Sequence, residues 1–431
     1  MIEAKEGMKV LVIGAGGREH AIITSLSKSI HKPILYAAPG NAGIAEKAKC
    51  LPMDVMDFSK IRDFCLSEPI DFVVVSPDDP LCHGLVDVLE DAGIPCFGPT
   101  KSAAQLEGSK AFAKEFMKKQ GIPTAHYQRF DAYVEALAYV EHLADEAFPI
   151  VLKADGLALG KGVLVAESKV ESIRFLEEVM VQQKFGPSGN TVIIEEYLTG
   201  PELSYFVLSD GTNFCPIMGA MDHKAVGEGN VGPNTGGMGV VAPNPYLNEA
   251  MELEILQSIV IPTIEGMSKL GAPFMGCLFI GLMLTEEGPK VIEYNCRFGD
   301  PETEAILPLL ESDFLELLLA VRNKDIASCS MKFLNRFAVT VMLCSAGYPG
   351  EYEKGKAIHF EAMDDENVYL FHSATTLRDG KYYSNGGRVL ALTAVGDTVE
   401  EARQKAYEAV DKIHFDGMFY RQDIGKVDRE G

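Results

Sequence analysis

Short apolar runs rich in Val, Ile and Leu alternate with amphipathic stretches through the first hundred residues. The runs KVLVIG, PILYAA, DFVVVS and IPCFG read as buried strands, since β-branched residues crowd them and turn-forming residues bound them. Apolar positions recurring every three to four residues predict helices over 18–27, 58–67 and 81–92 between those strands. Strand and helix in alternation point to a parallel α/β sheet, with functional residues at the carboxyl ends of its strands. A helix-rich connector at 102–120 leads to a second block: the strand FPIVLK, a glycine-rich loop, the strand GVLVA, a helix over 169–181 and the strand TVIIEE. That block, 125–194, is small enough to act as a mobile lid. Longer β segments follow (LSYFVLSDG, CLFIGLML, KVIEYN), with helices at 249–270 and 312–322. A last block carries strands near 337–344, 367–371 and 387–395 and a helix over 398–413.

At 431 residues the chain is too long for one core and predicts roughly two to four domains. Hydrophobic residues at 47% and charged residues at 23% fit a globular protein. No apolar run approaches the roughly 20 residues that span a bilayer, and the first seven residues, MIEAKEG, have no apolar signal core. No membrane partner is therefore expected. The nine cysteines include no C-x-x-C pair, which predicts reduced thiols in a cytoplasmic setting rather than disulfides or zinc. A net charge of −23 argues against nucleic acid as a partner, because backbone binding needs a basic surface. Any phosphate site has to be assembled locally from Lys, Arg, backbone N–H groups and metal.

The segment KVIEYNCRFGDPET, residues 290–303, concentrates such groups. Period-two geometry puts Glu293 and Asn295 on one face of a strand, a carboxylate and an amide oxygen suited to Mg²⁺. Arg297 adds a planar cation, and the turn through Asp300 and Glu302 adds two acids. Taken alone, the same spacing also fits a plain strand end with a solvated turn. Lys153 closes FPIVLK before the loop Ala154–Gly162, which contains Gly160 and Lys161. The loop is not a Walker A motif, since Gly162 stands where Ser or Thr would hold the metal; Glu293 and Asn295 would fill that gap. The strand ending at Glu195 and Glu196, followed by Gly200-Pro201-Glu202, offers hinge groups to an adenine and, in Glu202, a carboxylate to ribose hydroxyls. Asn234, Thr235 and Gly236 lie in a glycine-dense loop whose backbone N–H groups can close on an anionic substrate. His223, just before it, is assigned no proton transfer. Near the N-terminus, Gly16, Gly17 and Arg18 form a glycine turn at a helix start, a good phosphate cradle, beside a second turn that holds Asn41. It misses the third glycine of a dinucleotide fingerprint, where Glu19 stands, and no acid ends the second strand. An NAD(P)-dependent oxidoreductase is thus a competing but poorly supported reading.

Together, KADGLALGKGV, VIIEEYL, DHK with GPNTGGMG, and VIEYNCRFGDPET resemble the phosphoribosylamine-glycine ligase family of ATP-grasp enzymes, in matching order from Met8 to about Ile424. The resemblance implies an α/β and α+β multidomain fold with an N-terminal Rossmann-like parallel sheet, an ATP-grasp core with a mobile lid, and a C-terminal mixed α/β domain. The corresponding bounds are a 1–7 extension, 8–100, a core of 101–124 with 195–328, a lid of 125–194, and 329–431. It implies ATP and Mg²⁺ or Mn²⁺ as cofactors, glycine and 5-phosphoribosylamine as substrates, and a monomer or weak homo-oligomer. Among residues, it implies Lys110 and Lys153 at ATP phosphates, Glu195 and Glu196 at the adenine hinge, Glu202 at ribose, and Glu293 with Asn295 at the metal. Arg297 is implied at the glycine carboxylate and transferring phosphoryl group, and Gly16, Gly17, Arg18, Asn41 and Asp222 on the substrate side. Ala225 departs from the family's usual Arg, Asp78-Asp79 replaces its Glu-Ala, Leu159 replaces Ala, and Gly281 stands where relatives hold a second metal carboxylate. Another carboxylate-amine ligase and a silent nucleotide-binding relative are the alternatives.

Overall fold

In the computed structural model, which describes residues 1–157 and 162–426, the four N-terminal apolar runs become neighbours in one parallel sheet. Its order is Lys49–Cys50, Ile34–Pro39, Lys9–Gly14, Phe72–Val75, Cys96–Phe97. Val10 to Ile13 are fully buried, as a central strand covered on both faces requires. The helix Gly17–Leu26 starts just beyond that strand's carboxyl end. One prediction is corrected here. The periodic stretch over 81–92 belongs to two helices, Asp78–His83 and Leu85–Asp91, because Gly84 takes φ +94° and ends the first in a left-handed cap.

The central antiparallel sheet runs Phe214–Pro216, Glu202–Asp210, Met275–Thr285, Gly288–Asn295. Both faces are buried: Tyr205, Leu278 and Ile280 join the core under the N-terminal sheet, and Phe206, Leu208 and Phe279 join a second core with Phe298 and Phe314. A β-bulge interrupts the last pair of strands. Gly281 stands opposite Glu293 and Leu282 opposite Val291, so Ile292 is the extra residue.

A separate antiparallel sheet, Tyr127–Phe130, Val192–Glu196, Ile150–Ala154, Val163–Ala166, is backed by the helices Tyr133–His142 and Lys169–Leu176. Leu152, Val192, Leu176 and Val140 form its own small core. The C-terminal sheet is antiparallel and six-stranded, built on Phe337–Ser345, Arg388–Gly396 and Val368–His372 under the helix Val399–Val410. Two of its strands, Met221–Asp222 and Gly239–Ala242, come from the middle of the chain. The hairpin Ala225–Gly227 with Val231–Asn234 lies between them in sequence, so the C-terminal sheet carries the base of the glycine-dense loop. Among the described residues no helix is long and apolar enough to cross a membrane.

Candidate active site

The bulge in Gly288–Asn295 gives the site its first contact between sheets. Ile292 carbonyl accepts a hydrogen bond from Lys153 Nζ at 3.2 Å, which ties the strand Ile150–Ala154 to the central sheet. Glu293 follows, enclosed by Lys224, Lys153 and Lys110. Burial alone would push its carboxyl up, but the three ammonium groups outweigh burial and hold it below the ordinary value. Two residues on, Asn295 Oδ1 accepts from Arg297 at 3.1 Å, and its side chain helps hold the Glu293 carboxylate charged. Arg297 also pairs with Glu107 Oε1 at 3.1 Å, and its Nε has no partner among the described residues. Glu107 is held in turn by the Cys296 N–H at 2.7 Å. Asp78 feels both Arg297 and Arg18, which together overcome its burial and lower its pKa, so the departure at Asp78-Asp79 keeps an acid beside the site.

An ionised carboxylate next to an amide oxygen is a donor set that fits a hard divalent cation. Gly281 lies directly opposite Glu293 and offers no third ligand, so the remaining positions would fall to phosphate oxygens and water.

Lysines occupy the neighbouring wall. Lys110 Nζ donates to Gly156 carbonyl at 2.7 Å, and burial lowers its pKa. Asp155 carboxylate accepts from Ser109 Oγ and Ala111 N–H at the start of the helix Lys110–Gln120, which fixes where that loop begins. Gly160 and Lys161 lie outside the described residues. Lys153 Nζ and Lys114 Nζ approach the same atom, Glu195 Oε2, at 3.0 and 3.1 Å. Glu195 Oε1 is buried with no partner among the described residues. Burial, reinforced by Lys153, brings Lys114 down to about 8 even though Glu195 pulls the other way. Glu196 is fixed at the strand end: its N–H donates to His126 carbonyl at 3.0 Å and its Oε1 accepts the His126 N–H at 2.9 Å, which ties the strand to residue 126.

On the substrate side, Glu202 Oε2 pairs with Lys224 at 3.1 Å, a contact that would have to rearrange if Glu202 also met ribose hydroxyls. Asp222 Oδ1 is buried without a partner among the described residues, and burial together with Glu302 pushes its carboxyl well up. Thr235 closes the base of the hairpin, both its N–H and its Oγ1 donating to Lys224 carbonyl at 2.8 Å. Asn234 is exposed. Gly236 carbonyl accepts from Arg388 at 2.6 Å, and the same guanidinium pairs with Asp300 carboxylate at 2.7 Å, which joins the glycine loop to the RFGDPE turn. The hairpin is clamped from outside by Arg421, which donates to Ala225 carbonyl at 2.9 Å and Asn230 Oδ1 at 3.0 Å. Asp423 completes the clamp, accepting from Arg421 Nε at 2.7 Å and Gly229 N–H at 2.8 Å.

At the N-terminal turn of Gly16 and Gly17, Glu19 reaches back to Gly16 N–H at 2.6 Å, and a Cβ at Gly16 would meet Asp300 Oδ2 at 3.2 Å. Gly17 packs against Glu304 and Ser373. Carboxylates stand at the positive end of that helix, which disfavours a dinucleotide pyrophosphate there. Asn41 is structural, its amide nitrogen bonding the carbonyls of Ala15 and His372 at 2.8 and 2.6 Å and its Oδ1 accepting from Gly43 and Ile44. Arg18 points inward, 2.6 Å from Glu19 and bonded to Phe298 carbonyl at 3.2 Å.

Sequence reasoning missed Lys114, Glu107, Arg388 and Glu304. Lys114 carried a usable signal, one helical turn after Lys110 and therefore on the same helix face. Arg388 comes from the far end of the chain, and Glu304 is a fully buried acid inside an otherwise plain helix, so neither had a local signature.

Models of the phosphoribosylglycinamide synthetase N domain, ATP-grasp (A) domain and C domain match residues 8–107, 108–303 and 338–427. A phosphoribosylamine–glycine ligase of Caldanaerobacter subterraneus subsp. tengcongensis is 47% identical over 97% of this chain and 99% of its own length. The crystal structure of the phosphoribosylamine–glycine ligase from Thermotoga maritima is 35% identical, covers 97% of this chain and 100% of that one, and superposes with a TM-score of 0.83. A biotin carboxylase domain from Hydrogenobacter thermophilus, solved with MgADP, shares the fold at 17% identity and a TM-score of 0.74, over 95% of this chain and 91% of that one. With three family models in order and end-to-end relatives on both counts, the chain belongs to the phosphoribosylglycinamide synthetase family, the ATP-dependent phosphoribosylamine–glycine ligases built on the ATP-grasp fold.

Proposed function

We propose that the chain ligates glycine to 5-phosphoribosylamine with ATP, through glycyl phosphate, and releases glycinamide ribonucleotide, ADP and phosphate, a step of purine biosynthesis. The observation that carries the assignment of chemistry to this cleft is the convergence of Lys110, Lys153 and Lys224 around the ionised Glu293, with Arg297 on the neighbouring Asn295, in a chain whose net charge is −23. Such a cluster suits charge neutralisation during phosphoryl transfer, a reaction that asks for positioning more than for a protein nucleophile.

Glu293 and Asn295 would hold a divalent cation, Mg²⁺ or Mn²⁺, which when bound neutralises charge on the ATP phosphates. Lys110 and Lys153 are assigned to those phosphates. Arg297, oriented by Glu107, has its Nε free to meet the glycine carboxylate and then the acyl phosphate. Asp222, buried with an unpartnered oxygen, suits the amino group of glycine or of the incoming amine. The sheet of residues 125–194 acts as a lid over the nucleotide, anchored to the central sheet through Lys153 and Ile292.

Release of ADP tests the reading, with ATP, metal, freshly generated phosphoribosylamine and glycine each omitted in turn. Product formation that needs all four supports it. ADP formation driven by a different acid or amine would retain the chemistry and reject the substrates, and ATP binding without turnover would leave a silent nucleotide binder.

A further inference from the structure

Lys114 is 2% exposed, and no expectation drawn from the sequence gave it a role. Its ammonium donates to Thr124 Oγ1 at 2.7 Å, and Thr124 donates onward to Val291 carbonyl at 2.6 Å. On another side it stands 3.1 Å from Glu195 Oε2 and 5.6 Å from the centre of the Tyr127 ring. It therefore joins three elements: its own helix Lys110–Gln120, the 125–194 sheet through Glu195 and Tyr127, and the metal-binding strand through Thr124. Glu195 Oε2 is shared with Lys153, 3.0 Å away, while Glu195 Oε1 has no partner among the described residues. Two ammonium groups on one carboxylate leave a net positive charge in a buried place, and an orphaned carboxylate oxygen there is costly until a donor reaches it.

We propose that Lys114 is a positioning residue for the nucleotide: by holding Glu195 Oε2 it turns Oε1 toward the amino group of the purine, and by sharing that carboxylate it leaves Lys153 free for phosphate. This rests on the reading that ATP binds between the 125–194 sheet and the central sheet. Without Lys114, Glu195 would collapse onto Lys153 as a one-to-one pair. The base would lose an oriented acceptor and the phosphates would lose a cation together. The charged groups facing Lys114 are Glu195, Lys153 and Glu196, with the Tyr127 ring beside them. With its pKa near 8, the ammonium loses its proton as pH rises through that value, and its hold on Glu195 weakens.

The test compares equilibrium binding of MgATP and MgITP, which carries a 6-oxo in place of the 6-amino group, to the full chain and to Lys114→Met. The ATP-over-ITP preference should fall about tenfold or more in Lys114→Met, the scale of one charge-assisted hydrogen bond. In the wild type that preference should decline above pH 8, and in the variant it should be flat. An unchanged ATP/ITP ratio with a lowered melting temperature would make Lys114 a structural brace and overturn the proposal. If Lys114→Met does not fold, Thr124→Val takes its place, since it keeps the charge and cuts the tether to Val291. It should lower the preference in the same direction, and an unchanged ratio there overturns the proposal equally. Failure of the wild type to bind either nucleotide would instead overturn the underlying reading of the cleft, and the proposal with it.

Discussion

Glu293 owes its charge to neighbouring lysines and not to water, and that fixes what its loss should do. In Glu293→Ala three ammonium groups face one another without their shared anion, so turnover should fall by about a hundredfold or more, in line with removal of a preorganised charge from a closed site. A metal titration of the variant, read beside its melting temperature, checks this: undiminished turnover at ordinary metal concentrations would remove Glu293 from the metal site. Gly17 offers a second residue-level prediction. A Cβ there would sit 2.4 Å from Glu304 Oε1 and 2.6 Å from Ser373 Oγ, both deep inside the junction between N- and C-terminal sheets. Gly17→Ala should cost about 1–3 kcal/mol by overpacking, measurable in urea unfolding. The difference in legibility between these residues is physical. Glu293 and Asn295 could be found because a strand's period is local, whereas Glu304 is remarkable only for what the fold places around it. The same holds for Asn41, whose polar side chain in a turn looks like a ligand contact until its bonds to Ala15 and His372 are seen.

At the level of elements, the strands of the N-terminal sheet were legible because each is short, apolar and bounded by turn residues. The break at Gly84 was not, since a glycine inside a periodic helix does not announce a positive φ. Nor was the bulge at Ile292, which depends on register against Met275–Thr285 and so on a pairing the local sequence does not state. Yet that bulge frees the carbonyl that anchors Lys153. The lid assignment belongs at this scale too. MgATP should slow hydrogen exchange in the strands Ile150–Ala154 and Val163–Ala166 relative to the C-terminal sheet, and equal rates with and without nucleotide would speak against closure over the phosphates.

Across the whole molecule, the N- and C-terminal regions meet through histidines kept neutral by burial. His20 is pushed down to about 3 and His372 to about 4, while His20 Nδ1 accepts the His372 N–H at 2.9 Å. His223, under the hairpin, is lowered to about 4. Each of these values lies below the unfolded value of 6.5, so between 6.5 and about 4 the unfolded chain binds more protons than the folded one. Stability supplied by these groups is complete above pH 6.5 and drains away as pH falls through that window. Thermal unfolding should therefore shift to lower temperature from pH 6.5 to 4, and a flat midpoint would show that the junction does not depend on neutral histidine. The overall charge of −23 acts in a different way, repelling anionic ATP from a distance while the local lysines attract it. Raising ionic strength from a few millimolar to about 0.15 M should screen the long-range repulsion and speed nucleotide association, as stopped-flow would register.

The clamp of Arg421 and Asp423 on the hairpin also sets an order of events during synthesis. Arg421 follows Ala225 by 196 residues, which a ribosome takes roughly 10–40 s to add. Once Glu293 and Asn295 have been added, the nucleotide half of the cleft is complete in sequence, while the loop meant to close on substrate still lacks its fastening. A nascent chain stalled short of Arg421 should bind ATP before it can retain an acyl phosphate, so the far end of the polypeptide serves as the last component of the reaction centre to be installed.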